Sequence, residues 1–122
     1  MTLTRRGKTF QDLCREAKSR IHEISKEELQ SWLDSKKAGG KKFVLLDVRE
    51  TPEFEAAAIP GAIHISRGVL EINIDDAVPD QDQTIVLYCG GGNRSALAAD
   101  TLQQMGYESV YSLIGGWRGW NS

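Results

Sequence analysis

Thr84-Ile85-Val86-Leu87-Tyr88-Cys89-Gly90-Gly91-Gly92-Asn93-Arg94-Ser95 is the stretch on which the fold turns. Its first five residues form a continuous apolar run of the kind carried by strands buried on both faces of a parallel sheet. A glycine-rich turn follows, and Ser95-Ala96-Leu97-Ala98-Ala99 then opens a helix. Cys89 therefore lies where strand becomes helix, facing N–H groups whose partial positive charge stabilises anions and lowers a thiol pKa. Without a Cβ, Gly90, Gly91 and Gly92 let successive N–H groups turn inward around one negative centre. Arg94 closes this candidate anion cradle with a guanidinium that stays protonated, so Cys89 to Arg94 spans six residues.

The same alternation extends in both directions. Residues 43–46 form a second buried apolar run with Asp47 at its carboxyl end, and residues 21–24 and 62–65 are further strand candidates. Between them Ser25 and Glu28 make a capping-box pattern for a helix to about residue 36, with Leu29, Trp32 and Leu33 on its buried face. Pro52 suits the first turn of a short helix carrying Phe54, and Pro60-Gly61 forces a turn. The pattern weakens over residues 68–83, where Val69, Leu70, Ile72 and Ile74 fit a short helix or an irregular packing segment ended by Val78-Pro79-Asp80. A helix over residues 94–105 stopped by Gly106, then a strand at 109–111, complete the series. The predicted architecture is α/β, an open parallel sheet with helices on both faces. Ligands in such sheets gather beyond the carboxyl ends of the strands, so residues 47–50 and 89–95 are expected to share a pocket.

The chain's 122 residues suit one compact domain, preceded by an amphipathic helix over residues 9–20. The predicted division is an extension at 1–20 and the main domain at 21–122. A formal charge of −2 is too small for general nucleic-acid affinity, and no apolar stretch is long enough to cross a bilayer. Arg5, Arg6 and Lys8 are not followed by the apolar run of a secretory signal, so a cytoplasmic location is expected. Cys14 and Cys89 make no disulfide framework, and with His22 and His64 they show no metal-ligand spacing. Neither a metal nor a cofactor is expected.

Several stretches together resemble one family. The loop from Cys89 to Arg94 is similar to the active-site loop of the rhodanese sulfurtransferases, which runs from a nucleophilic cysteine to an arginine within six residues. Leu45-Leu46-Asp47-Val48-Arg49-Glu50-Thr51-Pro52-Glu53-Phe54 resembles the family's second-strand motif, Ile59-Pro60-Gly61-Ala62-Ile63 its central signature, and Leu113-Ile114-Gly115-Gly116-Trp117 its C-terminal end. The likeness covers roughly residues 21–120 in the family's order. One departure is Ala57-Ala58, where the family usually has Gly-His.

The resemblance implies a rhodanese-like fold and a Cys89 persulfide that carries sulfur from a small anionic donor such as thiosulfate to a thiol or cyanide acceptor. It implies Cys89 and Arg94 as catalytic residues and Gly90, Gly91, Gly92, Asn93, Arg94 and Ser95 as the substrate-binding loop. Asp47 and Arg49 are supporting candidates: Asp47 orients backbone or pairs with Arg49, while Arg49 faces substrate or pairs with Glu50 or Glu53. A persulfide carrier serving a protein donor or acceptor uses the same loop, and an arsenate or phosphate-ester enzyme is a third reading. The phosphatase loop is one residue longer, however, and Tyr88 stands where that signature has histidine. A nucleotide loop ending in Gly-Lys-Ser/Thr is excluded because the lysine is missing. Trp117, Trp120, His22 and His64 read as packing residues, and Cys14 as structural.

Overall fold

The computed structural model describes residues 7–122. Residues 1–6, including Arg5 and Arg6 and the start of the expected extension, lie outside the described residues. In chain order the elements are α1 (Phe10–Arg20), β1 (His22–Ile24), α2 (Lys26–Lys37), β2 (Val44–Asp47), α3 (Thr51–Ala56) and β3 (Ile63–His64). A single 3₁₀ turn (Arg67–Val69) leads into α4 (Leu70–Ala77), followed by β4 (Ile85–Tyr88), α5 (Asn93–Gln104), β5 (Val110–Leu113) and α6 (Gly116–Trp120).

The strands make one five-stranded sheet in the order β1-β5-β4-β2-β3, with every neighbouring pair parallel. β4 lies at its centre and is buried along its whole length, which is why it lacks the polar alternation of a half-exposed strand. Its side chains divide between two cores. Ile85 and Leu87 pack with Leu46, Leu70, Ile74, Ala98, Ala99 and Leu102 beneath α4 and α5. Val86 and Tyr88 point the other way, to Leu29, Phe43, Leu45, Ile59 and Leu113, with Trp32, Trp117 and Trp120 packed against them. Helices thus cover both faces, and the strands' period of two explains how one uniformly apolar strand feeds both layers.

α1 forms an outer layer on α5. Thr9 accepts from Asp12 N–H and Asp12 accepts from Thr9 N–H, a reciprocal cap for the helix start. Cys14 and Ala17 make its buried stripe. Arg20 holds Asp100 of α5 through Nε at 3.0 Å and Nη2 at 2.7 Å, and Gln103 donates to the Arg20 carbonyl.

The structure refines the predicted elements in three places. Ser25 accepts from Glu28 N–H at 3.1 Å, the forward half of the expected box, while the reciprocal Glu28 bond is not formed. Within the weak 68–83 stretch, Leu70 and Ile74 bury one face of α4 and Ile72 stays exposed, so that segment is a helix. α6 was not expected: five residues with glycine at two positions present no helical period to read. Truncating fully buried Leu87 to Ala removes the side chain at the sheet's centre, and an equilibrium urea titration should show a loss of about 3 kcal/mol at unchanged m-value.

Candidate active site

β4 ends at Tyr88, and the chain then turns under the start of α5 so that Cys89 Sγ points into its own loop. The sulfur accepts from Gly92 N–H at 3.1 Å and Ser95 N–H at 3.3 Å, and it lies 3.5 Å from Ser95 Oγ. Gly92 reaches this arrangement at φ +100°, a left-handed conformation open to glycine, and a Cβ there would meet Gly115 N at 3.2 Å. Behind the sulfur, Ser95 Oγ is 2.8 Å from Ser112 Oγ on β5, and both serines are fully buried. When the sulfur is ionised, Ser95 donates to it and receives the Ser112 proton in turn.

Burial is the strongest influence on the Cys89 thiol and pushes its pKa up. Hydrogen bonds from Ser95 Oγ, then from the N–H groups of Ser95, Gly92 and Gly91, outweigh it, and the net direction is down from the ordinary thiol value. Cys14 moves the opposite way, raised by burial with only Lys18 opposing, which suits a structural thiol.

α6 holds the loop from outside. Trp117 N–H donates to the Cys89 carbonyl at 2.7 Å and Arg118 N–H to the Gly90 carbonyl at 3.0 Å. With φ +56°, Gly116 brings α6 so close that a Cβ would overlap the Cys89 carbonyl oxygen and lie 2.9 Å from the Gly90 carbonyl carbon. Cys89 itself is 1% exposed, yet it lines a cavity of about 240 Å³ with Phe10, Gly90, Gly91, Asn93, Arg94 and Arg118. That is below the roughly 300–1,000 Å³ of drug-sized sites and suits a small ligand. A larger cavity of about 500 Å³ beside His64, Asn73 and Asp76 contains no thiol.

The expected loop residues separate into three groups. Cys89, Gly92 and Ser95 form the cradle, with Gly91 contributing its N–H. Gly90 contributes its carbonyl to α6, and the Asn93 side chain accepts from Lys18 of α1 at 3.0 Å. Arg94 lines the cavity, 39% exposed, with Nη1 4.0 Å from Glu50 and Nη2 4.0 Å from Glu53.

Asp47 and Arg49 make a buried pair at the carboxyl end of β2, and neither is among the hydrogen-bond partners of the Cys89 sulfur. Arg49 donates from Nη2 to Asp47 Oδ2 at 2.7 Å and to the Ala57 carbonyl at 2.6 Å, beneath the Trp117 ring at 4.7 Å. The alternative in which Arg49 pairs with Glu50 or Glu53 is corrected, because those carboxylates face Arg94. His64 donates from Nε2 to the Arg49 carbonyl at 2.7 Å, while its ring stacks on Phe54. Among the described residues no group of three His, Cys, Asp or Glu side chains is arranged to hold a metal. No helix among them is long and apolar enough to cross a membrane.

Sequence reasoning missed Arg118, Phe10 and Ser112. The C-terminal motif includes Trp117, but nothing in the spacing ties the next residue to a loop 28 positions earlier.

Residues 25–122 match the family of the rhodanese-like domain, and the chain belongs to that family. A solved protein of unknown function from Rhodopseudomonas palustris, described as a possible tyrosine phosphatase, superposes with a TM-score of 0.83 at 32% identity over 99% of this chain and 94% of its own. The human single-domain sulfurtransferase TSTD1 gives 0.70 at 27% identity over 81% and 94%. YrkF of Bacillus subtilis, named as a sulfur carrier protein, is 35% identical over 102 residues, 84% of this chain and 52% of that protein. MoeZ of Mycobacterium tuberculosis, named as an adenylyltransferase/sulfurtransferase, is 37% identical over 97 residues, covering 80% and 24%. The chain therefore spans about half of one of these relatives and a quarter of the other.

Removing the Ser95 hydroxyl withdraws one donor from the ionised sulfur and so raises its pKa. The pH profile of Cys89 alkylation by iodoacetamide should move up by about one unit in Ser95→Ala, since a hydrogen bond to a charged group contributes about 1.5–3 kcal/mol and a unit is about 1.4. Gly116→Ala should unfold more readily by at least about 2 kcal/mol in a urea titration, from left-handed strain and overlap with the loop backbone.

Proposed function

We propose that the protein is a sulfurtransferase working through a persulfide on Cys89, with a small anionic donor of the thiosulfate type and a thiol or cyanide as acceptor. The observation that carries this reading is the Cys89 sulfur held by the N–H groups of Gly92 and Ser95 inside a six-residue loop. The ionised sulfur attacks the outer sulfur of the donor. A new S–S bond forms, the donor's own S–S bond breaks, and its electron pair leaves with sulfite. The acceptor then attacks the outer sulfur of the persulfide and Cys89 leaves as thiolate. The cradle amides stabilise the charge at the start and end of each half-reaction, and neither step uses a metal or cofactor. A reducing compartment such as the cytoplasm, where the two free thiols persist, is the setting we assign.

A carrier role has support of its own. The relative YrkF is named for it, and α1 exposes Phe10 and Leu13 beside the cavity, a surface on which a protein donor or acceptor can dock. The phosphate-ester reading draws on the description of the R. palustris protein, but the shorter loop argues against it. Among the described residues the one fully buried carboxyl group, Asp47, is also tied up by Arg49.

Intact-protein mass spectrometry after incubation with thiosulfate should show one added sulfur atom on wild type and none on Cys89→Ser. Equal gain in both proteins would sink the proposal. Cyanide or a small thiol should then discharge the persulfide within one turnover time if the chain is an enzyme. A persulfide that outlasts many such intervals marks the carrier.

A further inference from the structure

Arg118 lines the cavity beside Arg94, and neither the sequence motifs nor the proposed steps give it a role. Its backbone is fixed by the bond to the Gly90 carbonyl, and its guanidinium lies over the glycines of the loop. A Cβ on Gly91 would collide with Arg118 Nη2. At Gly90 the position of a Cβ lies 3.2 Å from Arg118 Nη1 and 3.9 Å from Arg94 Nη2, so two guanidinium groups meet above the same glycine.

The surrounding charges are unequal. Arg94 has Glu50 and Glu53 nearby, whereas among the described residues Arg118 has no carboxylate within ion-pair distance. Lys18 adds positive charge on the α1 side through its bond to Asn93, and Arg15 is paired with Asp12. Two like charges held together beside a cavity repel unless an anion lies between them, and planar guanidinium groups match an oxyanion's geometry.

We propose that Arg118, with Arg94, forms an oxyanion subsite beside the amide cradle, which takes the sulfonate or carboxylate end of the reagent whose other end meets Cys89. The cradle holds the sulfur that is transferred, while the subsite holds the oxygens on the reagent's far, leaving end. Arg118 thereby sets which donors load the enzyme and contributes binding rather than chemistry. Only the identity of the natural ligand rests on the sulfur-transfer reading; the subsite itself does not.

The test uses two alkylating reagents that differ in charge. Iodoacetate is anionic and iodoacetamide neutral, so the ratio of their rates at Cys89 reports the subsite without any sulfur transfer. At low ionic strength Arg118→Met should lower that ratio about tenfold, Arg118→Glu should lower it further, and Arg118→Lys should restore most of it, with the differences shrinking as salt is added. Arg118 is exposed, so these variants should fold. In single-turnover persulfide formation, Arg118→Met should raise the thiosulfate concentration for half-saturation about tenfold while the limiting rate holds. An unchanged alkylation ratio in Arg118→Met overturns the subsite, as does a fall confined to the limiting rate. A wild-type protein that gains no sulfur but shows the charge-dependent ratio keeps the subsite and loses the sulfur-transfer reading.

Discussion

A sulfur buried at the end of a central strand, with main-chain N–H groups aimed at it, is the constraint around which the rest of the molecule is arranged. Burial alone disfavours the thiolate, so the charge is tolerable only if the amides of Gly92 and Ser95 keep their orientation. Turning those N–H groups inward turns the carbonyls of Cys89 and Gly90 outward, and these in turn need donors. α6 supplies them from Trp117 and Arg118. The approach is close enough to require a residue without Cβ at Gly116, so the C-terminal glycines belong to the loop's geometry although they lie far from it in sequence.

The two arginine environments in this region show how differently a charge can be used. Arg49 is 3% exposed and shares a bidentate pair with fully buried Asp47. Such a pair costs desolvation and is weak evidence for added stability, but every bond it makes is directional. It joins the end of β2 to the Ala57 carbonyl after α3 and supports the Trp117 ring of α6. It thereby fixes the element that fixes the loop. Arg94 and Arg118 face the cavity instead, where water screens them and where their charge is available to a ligand.

Legibility in the sequence follows the range of the interaction concerned. β2, β4 and α5 were readable because a buried parallel strand and a glycine-to-helix transition each leave a continuous local pattern. The cradle was readable for the same reason, since its donors and its acceptor lie within seven consecutive residues. α6 left no period, and the part played by Arg118 depends on a contact between residues 90 and 118 that no local spacing encodes. The Arg49 partnership was readable only as a choice among Asp47, Glu50 and Glu53. Burial decided it, because Asp47 is the one of the three inside the core, and burial is a property of the assembled sheet.

Reactivity and selectivity consequently come from different parts of the chain. The sheet and α5 place the thiol, and a shared family fold accounts for that much. What surrounds the opening belongs to the peripheral helices. Phe10, Cys14 and Lys18 succeed one another at one-turn intervals along α1: Phe10 walls the cavity, Cys14 lines a neighbouring hollow, and Lys18 holds Asn93. α6 supplies Arg118 on the same opening. Neither α1 nor α6 adds a strand to the sheet, so their side chains at the opening can change without disturbing the Cys89 backbone, provided Gly116 and the bonds to Cys89 and Gly90 are kept. The buried thiol thereby acquires an apolar wall on one flank and an unopposed cation on the other, and on the proposed chemistry these two flanks select the reagent that reaches the sulfur.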